Sequence, residues 1–223
     1  MSHPCWPSMV WQTYDYYFEP TGAYFGCKKA SEPLHIQFNS FTGNVEVVNI
    51  SGGDVRATAK AEIITMDGRT VGGNETELDS NEDSTVICFP VEVPADITDV
   101  YFIRLKLIAG DKILSENFYW EGKEEGNYQA LRKLAKADVS LKCDTKGDGK
   151  VWKSSVSVTN NADVPALMLR LKACAKDGSL ITPVIYSDNY FFLMPGESRT
   201  IEVEVAEADA HGAPRFDISG FNL

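Results

Sequence analysis

The sequence predicts an all-β protein built as two tandem β-sandwiches, and three observations predict it. From Leu34 onward, short segments alternate apolar and polar residues with a period of two. Glycine- and aspartate-rich turns separate these segments at regular intervals. The series is interrupted once, at "GKEEGNYQALRKLAKAD", and then starts again. These breaks divide the 223 residues into an aromatic-rich segment, 1–33, a first sandwich, 34–121, and a second, 122–223, with a short helical connector at its start.

The first alternating element is "LHIQFN", with Leu34, Ile36 and Phe38 on one face and His35, Gln37 and Asn39 on the other. After the turn at "FTGN", Val45 and Val47 continue the pattern, with Asn49 in the same phase. "VRATAKAEIITM", "TVICFPVEV", "VYFIRLKLIAG" and "ILSENFYWEG" follow as strands, and "SGGD", "MDGR", "VGGNETELDSNED" and "AGDK" read as breakers. In the connector, Tyr128, Leu131 and Leu134 recur at a spacing that predicts one or two helical turns. The second series runs "DVSLKC", "VWKSSVSVTNN", "ALMLRLKACAKDG", "PVIYSDNYFFLMPGE", "RTIEVEVAE" and "RFDISGFNL", a seven-strand sandwich of about 85 residues by the immunoglobulin-like pattern. The two series are too different in sequence to be a repeat.

Composition narrows the function classes. The net charge of −11 is uneven: residues 34–121 carry 15 acids and 6 bases, whereas the flanking regions are nearly neutral. Such a surface repels phosphate backbones, so nucleic acid is not an expected partner. No run of 18 apolar residues forms a membrane span, and residues 1–33 contain no basic stretch leading into an apolar core. The five cysteines, Cys5, Cys27, Cys88, Cys143 and Cys174, are odd in number and lack a C-x-x-C pair. They read as free thiols rather than a zinc site or disulfide framework, with Cys143–Cys174 the one pair to check.

Candidate chemistry is sparse. "DTKGDGK" lacks the alternate acceptors and closing Glu of a calcium loop and reads as a hairpin turn. Asp188 and Asn189 in "YSDNYFF" lie between aromatics, where a turn-bonding role outweighs a sugar-binding one. His3, His35 and His211 have no nucleophile or carboxylate at motif spacing. Asn74-Glu75 falls in what reads as an exposed polar loop, without the desolvation and the partner carboxylate that a catalytic acid requires. Asn49 and Asn74 begin N-x-S/T sequons. The reading assigns no catalytic residue, no metal ligand and no cofactor.

The opening segment is the unusual part. Eight of the 24 aromatic residues fall within the first 25 positions, where chain ends are ordinarily small and polar. "WPSMVWQTYDYYFEPTGAYFGCKKASEPLHIQFN" resembles the segment that leaves the catalytic (β/α)8 barrel of glycoside hydrolase family 2, in the β-mannosidase, exo-β-glucosaminidase and endo-β-mannosidase branch. "LSENFYW" is similar to the strand closing the first immunoglobulin-like domain after that barrel, and "PVIYSDNYFFLMPGES" to a region of the last one. The resemblance implies that residues 1–33 are the last strand and helix of a barrel. It implies a parent that is a retaining β-glycosidase with a general acid/base and a nucleophile, both Glu, on barrel strands preceding this chain. Trp6 then matches a residue beside the sugar pocket, the one substrate-lining candidate. The expected partners are the catalytic barrel of the same polypeptide and, through the parent, a glycan. The alternative is a stand-alone tandem sandwich that binds carbohydrate or protein. Residues 1 to about 30 are expected either to fold back onto the first sandwich or to be poorly ordered.

Overall fold

The structure, a computed structural model, describes residue 6 and residues 12–223. It is nearly all-β and separates into two compact units. One is Lys28–Leu134; the other is Ala135–Leu223 together with the described part of Met1–Cys27. Among the described residues each unit holds seven strands in two antiparallel sheets.

In the unit Lys28–Leu134, β1 (Leu34–Asn39), β2 (Asn44–Asn49) and β5 (Ser84–Pro90) form a sheet in the order β1-β2-β5. The facing sheet has the order β4-β3-β6-β7, from β3 (Val55–Thr65), β4 (Thr70–Ser80), β6 (Val100–Ala109) and β7 (Lys112–Gly122). Alternation buries Ile36, Val45 and Val47 from one sheet against Ala59, Ala61, Ile103, Leu105 and Leu107 from the other. Small residues on β3 pair with large ones on β6, Ala59 with Leu107 and Ala61 with Leu105, so that the layer fills evenly. A 3₁₀ turn at Gln129–Lys133 follows β7 and buries Leu131.

The free edge of β1 is closed by side chains. The backbone N–H groups of Ile36 and Phe38 donate to Ser115 Oγ (3.2 Å) and to the Tyr119 hydroxyl (3.1 Å), and Asn117 Nδ2 donates to the Ile36 carbonyl (3.4 Å). These three residues are the inward positions of "LSENFYW" on β7, which pairs with β6 only. Glu32, just ahead of β1, accepts from Ser115 Oγ (2.8 Å) and Lys29 Nζ (2.7 Å), and lies 3.4 Å from His35 Nδ1. Burial alone would raise its carboxyl pKa, but the contacts from His35, Lys29 and Ser115 outweigh it and hold the group at about 2.

The stretch "TVGGNETELDS" departs from expectation. It is the edge strand β4, not a loop, with Leu78 opposite Ala57 and Asn74 opposite Ala61. Exposed Glu75, Glu77 and Asp79 hid the strand, and such charges are how an edge avoids further pairing. The register shifts between Thr70 and Gly72. Gly73 has φ +148°, and a Cβ there would stand 2.2 Å from the Ala61 carbonyl oxygen, so only glycine fits.

In the other unit, β8 (Val139–Gly147), β9 (Val151–Asn160), β11 (Ile185–Tyr186) and β13 (Ser198–Ala206) form a sheet in the order β11-β13-β9-β8. Its partner has the order β12-β10-β14, from β10 (Ala166–Cys174), β12 (Phe191–Leu193) and β14 (Arg215–Ser219). Val156, Val158, Ile201 and Val203 pack against Leu169, Leu171 and Phe191. "DTKGDGK" ends β8 and makes the β8–β9 turn at 148–150, where Asp148 Oδ1 accepts from the amides of Lys150 and Val151 at 2.9 Å. Cys27, Cys88, Cys143 and Cys174 are free thiols; Cys143 is exposed on β8 and Cys174 buried on β10.

One device occurs in both units. Asn49 ends β2 and Asn160 ends β9, and both are fully buried. Asn49 Nδ2 donates to the carbonyls of Gly53 (2.9 Å) and Ser80 (3.1 Å), and its Oδ1 accepts from the Ser51 amide (3.0 Å). Asn160 Nδ2 donates to the carbonyls of Val164 (2.8 Å) and Leu193 (3.1 Å), and its Oδ1 accepts from the Ala162 amide (3.1 Å). The contacts fall at i+2, i+4 and just over thirty residues downstream in each case, so one corner is built twice from different sequences. The Nδ2 of the Asn49 sequon is therefore fully engaged inside the fold.

Two outcomes follow. Asn160→Ala strands two buried carbonyls and an amide, and should lower stability by about 2–4 kcal/mol in urea unfolding, as should Asn49→Ala. Because the folded pKa of Glu32 lies below the ordinary 4.5, its contribution is complete above that value and is lost as pH falls toward about 2. Glu32→Gln should flatten the acid limb of stability against pH in that window and change little at neutral pH beyond a constant offset.

Candidate functional site

The segment that the sequence singled out lies on the second sandwich, not the first, which corrects the expectation. Thr21 Oγ1 donates to the carbonyls of Gln12 (3.2 Å) and Thr13 (3.1 Å), and Tyr14 bridges to Pro20, so residues 12–21 close on themselves. Between them Asp15 builds a turn: its Oδ1 accepts from the amides of Tyr17 (2.8 Å) and Glu19 (3.0 Å). The turn holds Phe18 at φ +63°, leaves Tyr16, Tyr17 and Phe18 exposed, and points Glu19 inward.

Glu19 is 7% exposed and meets Arg170 on β10 in a two-pronged ion pair, with Nε donating to Oε1 at 2.9 Å and Nη2 to Oε2. Burial alone would lower the pKa of the Arg170 guanidinium, but Glu19 holds it above its usual value. Next in sequence, α1 (Gly22–Ala30) begins against the Tyr190 ring, where a Cβ on Gly22 would lie 3.5 Å from Cδ1. Phe25, 6% exposed, places its ring 5.9 Å from that of Tyr190 and 6.5 Å from that of Tyr186. Tyr24 continues the stack to Tyr14 at 5.3 Å. Burial pushes the phenols of Tyr186 and Tyr190 up, and the Tyr186 hydroxyl accepts from the Ala173 amide at 2.9 Å.

Residues 12–25 therefore form a strap that seats an ion pair on Arg170 of β10 and an aromatic anchor on Tyr186 and Tyr190, which is the chemistry of docking. Its carboxylate is already committed to Arg170. Trp6 is 68% exposed, and its neighbours Cys5 and Pro7–Trp11 lie outside the described residues. Glu75 stands exposed on β4 opposite Lys60. Asp188 pairs with Arg199 at 2.6 Å. Asn189 reaches beyond its own turn: its Oδ1 accepts from the Leu171 amide (2.8 Å) and its Nδ2 donates to the Leu171 carbonyl (2.9 Å), as a strand would. Asn222 does the same for Leu167 and Pro165. Sequence reasoning missed Glu19 and Arg170. The available signal was an Arg in a mainly apolar strand, "ALMLRLKAC", and a lone Glu among aromatics, "YYFEP".

Residues 117–223 match the family described as the exo-β-D-glucosaminidase Ig-fold domain. The chain is 32% identical, over 97% of its length, to an exo-β-D-glucosaminidase of Streptomyces avermitilis, and 30% identical, over its whole length, to one of Hypocrea jecorina. Among solved structures it is similar to the exo-chitosanase of Amycolatopsis orientalis, with a TM-score of 0.91 and 27% identity over the whole chain. The chain spans 27–29% of the length of these proteins.

Removing either partner of the strap pair leaves a charge without its counterpart. Glu19→Gln and Arg170→Met should each lower stability by about 2–4 kcal/mol, at the lower end for Glu19→Gln because Arg170 keeps 30% of its side-chain exposure. The double variant should be less destabilised than the sum, measured by urea unfolding in a double-mutant cycle.

Proposed function

We propose that this chain, whose residues 117–223 match the exo-β-D-glucosaminidase Ig-fold domain family, is the non-catalytic accessory region of a retaining β-glycosidase acting on terminal β-linked sugars of the β-glucosaminide or β-mannoside type. The observation that carries this reading is the strap. Glu19 and Phe25 fasten the segment resembling a barrel exit to the second sandwich, so that sandwich serves as an anchor for whatever domain the segment leaves. The relatives favour a β-glucosaminide over a β-mannoside.

In this reading both catalytic Glu residues belong to the barrel of the same polypeptide, the parent's glycan is held there, and Trp6 lines its sugar pocket. The carboxylates of this chain have other work. Glu19 is neutralised by Arg170 and Glu32 by Lys29, and Glu75 projects from an edge strand. Among the described residues none is paired with a second carboxylate, as retaining hydrolysis requires.

The purified 223-residue chain should release no aryl leaving group from an aryl β-glucosaminide or β-mannoside above the buffer blank. Turnover that scales with protein concentration and survives repurification would overturn the reading.

A further inference from the structure

One carboxylate in the unit Lys28–Leu134 is half-buried without any counter-charge. Glu121, near the end of β7, receives no hydrogen bond or ion pair among the described residues, and burial alone pushes its pKa up. A carboxylate taken from water is stabilised only by hydrogen bonds or a cation, so an unmatched one marks a place where a cation would be favoured.

Its surroundings supply tyrosines. Register places Tyr101 of β6 directly opposite Glu121, on the same face of the sheet, and Tyr119 lies two residues earlier on that face. Glu121 and Tyr128 both act electrostatically on the Tyr101 phenol. The chain after β7 folds back to bring Tyr128 there. Carbonyl oxygens of Glu124 and Asn127 approach Gly122 so closely that a Cβ would lie 2.6 and 2.7 Å from them, which only glycine permits. Tyr119 is fixed by its bond to the Phe38 amide, whereas Tyr128 is 39% exposed. Lys123, the nearest cation in sequence, donates instead to the Ala95 carbonyl at 2.8 Å.

We propose that Glu121, Tyr101 and Tyr128 form a binding subsite for the protonated amine of an amino sugar. The carboxylate supplies the counter-charge and a charge-assisted acceptor. The tyrosine faces attract the ammonium through their quadrupoles and stack on the sugar ring. The 15 acids against 6 bases in residues 34–121 draw a polyamine toward this unit. The seat for a cation rests on this geometry alone; the choice of an amino sugar over another amine rests also on the proposed glycosidase reading.

The test titrates the 223-residue chain, in mildly acidic low-salt buffer, with the β-linked glucosamine tetramer, its fully N-acetylated form and cellotetraose. Binding is followed by calorimetry and by amide shifts of Tyr101 and Glu121. Saturable binding of the glucosamine tetramer alone is expected. Glu121→Gln should weaken it at least about tenfold, the scale of one charge-assisted hydrogen bond. Tyr128→Ala, at an exposed connector position, should weaken it about threefold to tenfold. Failure of the glucosamine tetramer to bind, unchanged affinity in Glu121→Gln, or equal binding of the N-acetylated tetramer would overturn the subsite. Equal binding of spermidine at the same residues would overturn the amino-sugar assignment. None of these outcomes depends on whether the chain hydrolyses aryl glycosides, so the fate of the proposed function is read separately.

Discussion

Where a strand of a sandwich ends and the chain crosses to the facing sheet, backbone carbonyls turn inward with no ladder to receive them, and a buried donor must be found for each. Asn49 and Asn160 are those donors, at 0% exposure, each tying its own crossing loop to a segment just over thirty residues away. An amide side chain suits this role because it donates twice and accepts at the same point. Asn189 and Asn222 extend the principle along β10, whose amides at Leu171 and Leu167 they receive. In the unit Lys28–Leu134 the same need at β1 is met by Ser115, Asn117 and Tyr119. Polar side chains acting as short pieces of strand thus hold together two sandwiches whose cores are otherwise ordinary.

The strap depends on that framework. β10 carries Arg170 outward while its neighbours Leu169 and Leu171 point into the core, so the guanidinium has a fixed seat from which to meet Glu19. The aromatic run of the opening segment divides accordingly. Phe25 is spent on Tyr186 and Tyr190, and Tyr24 on Phe25 and Tyr14, whereas Tyr16, Tyr17 and Phe18 are held outward by the Asp15 turn.

Much of this was legible in the residues. The period-two alternation located the strands of both sandwiches because their inner faces are apolar, and the Asp148 turn declared itself by its glycines. What stayed hidden was polar. β4 reads as a loop because an edge strand shows solvent its charges and because glycine is required within it, at Gly73. The repeated asparagine corner was invisible because its function lies in contacts with carbonyls, which carry no residue identity, and the flanking sequences "VVNISGGDV" and "VTNNADVPA" share little else. The opening segment's aromatics announced burial but not the surface that buries them; that information is one arginine in β10, more than 140 positions away.

The central claim is that the strap and the second sandwich fold as one cooperative unit. Native-state hydrogen exchange on the intact chain tests it most directly, because it resolves the opening free energy of each amide. The amides of Thr21, Tyr24 and Phe25, bonded to the carbonyls of Thr13 and Thr21, should exchange as slowly as those of Leu169 and Leu171 in β10. Exchange of those three at the rate of an exposed turn, while β10 remains protected, would contradict it.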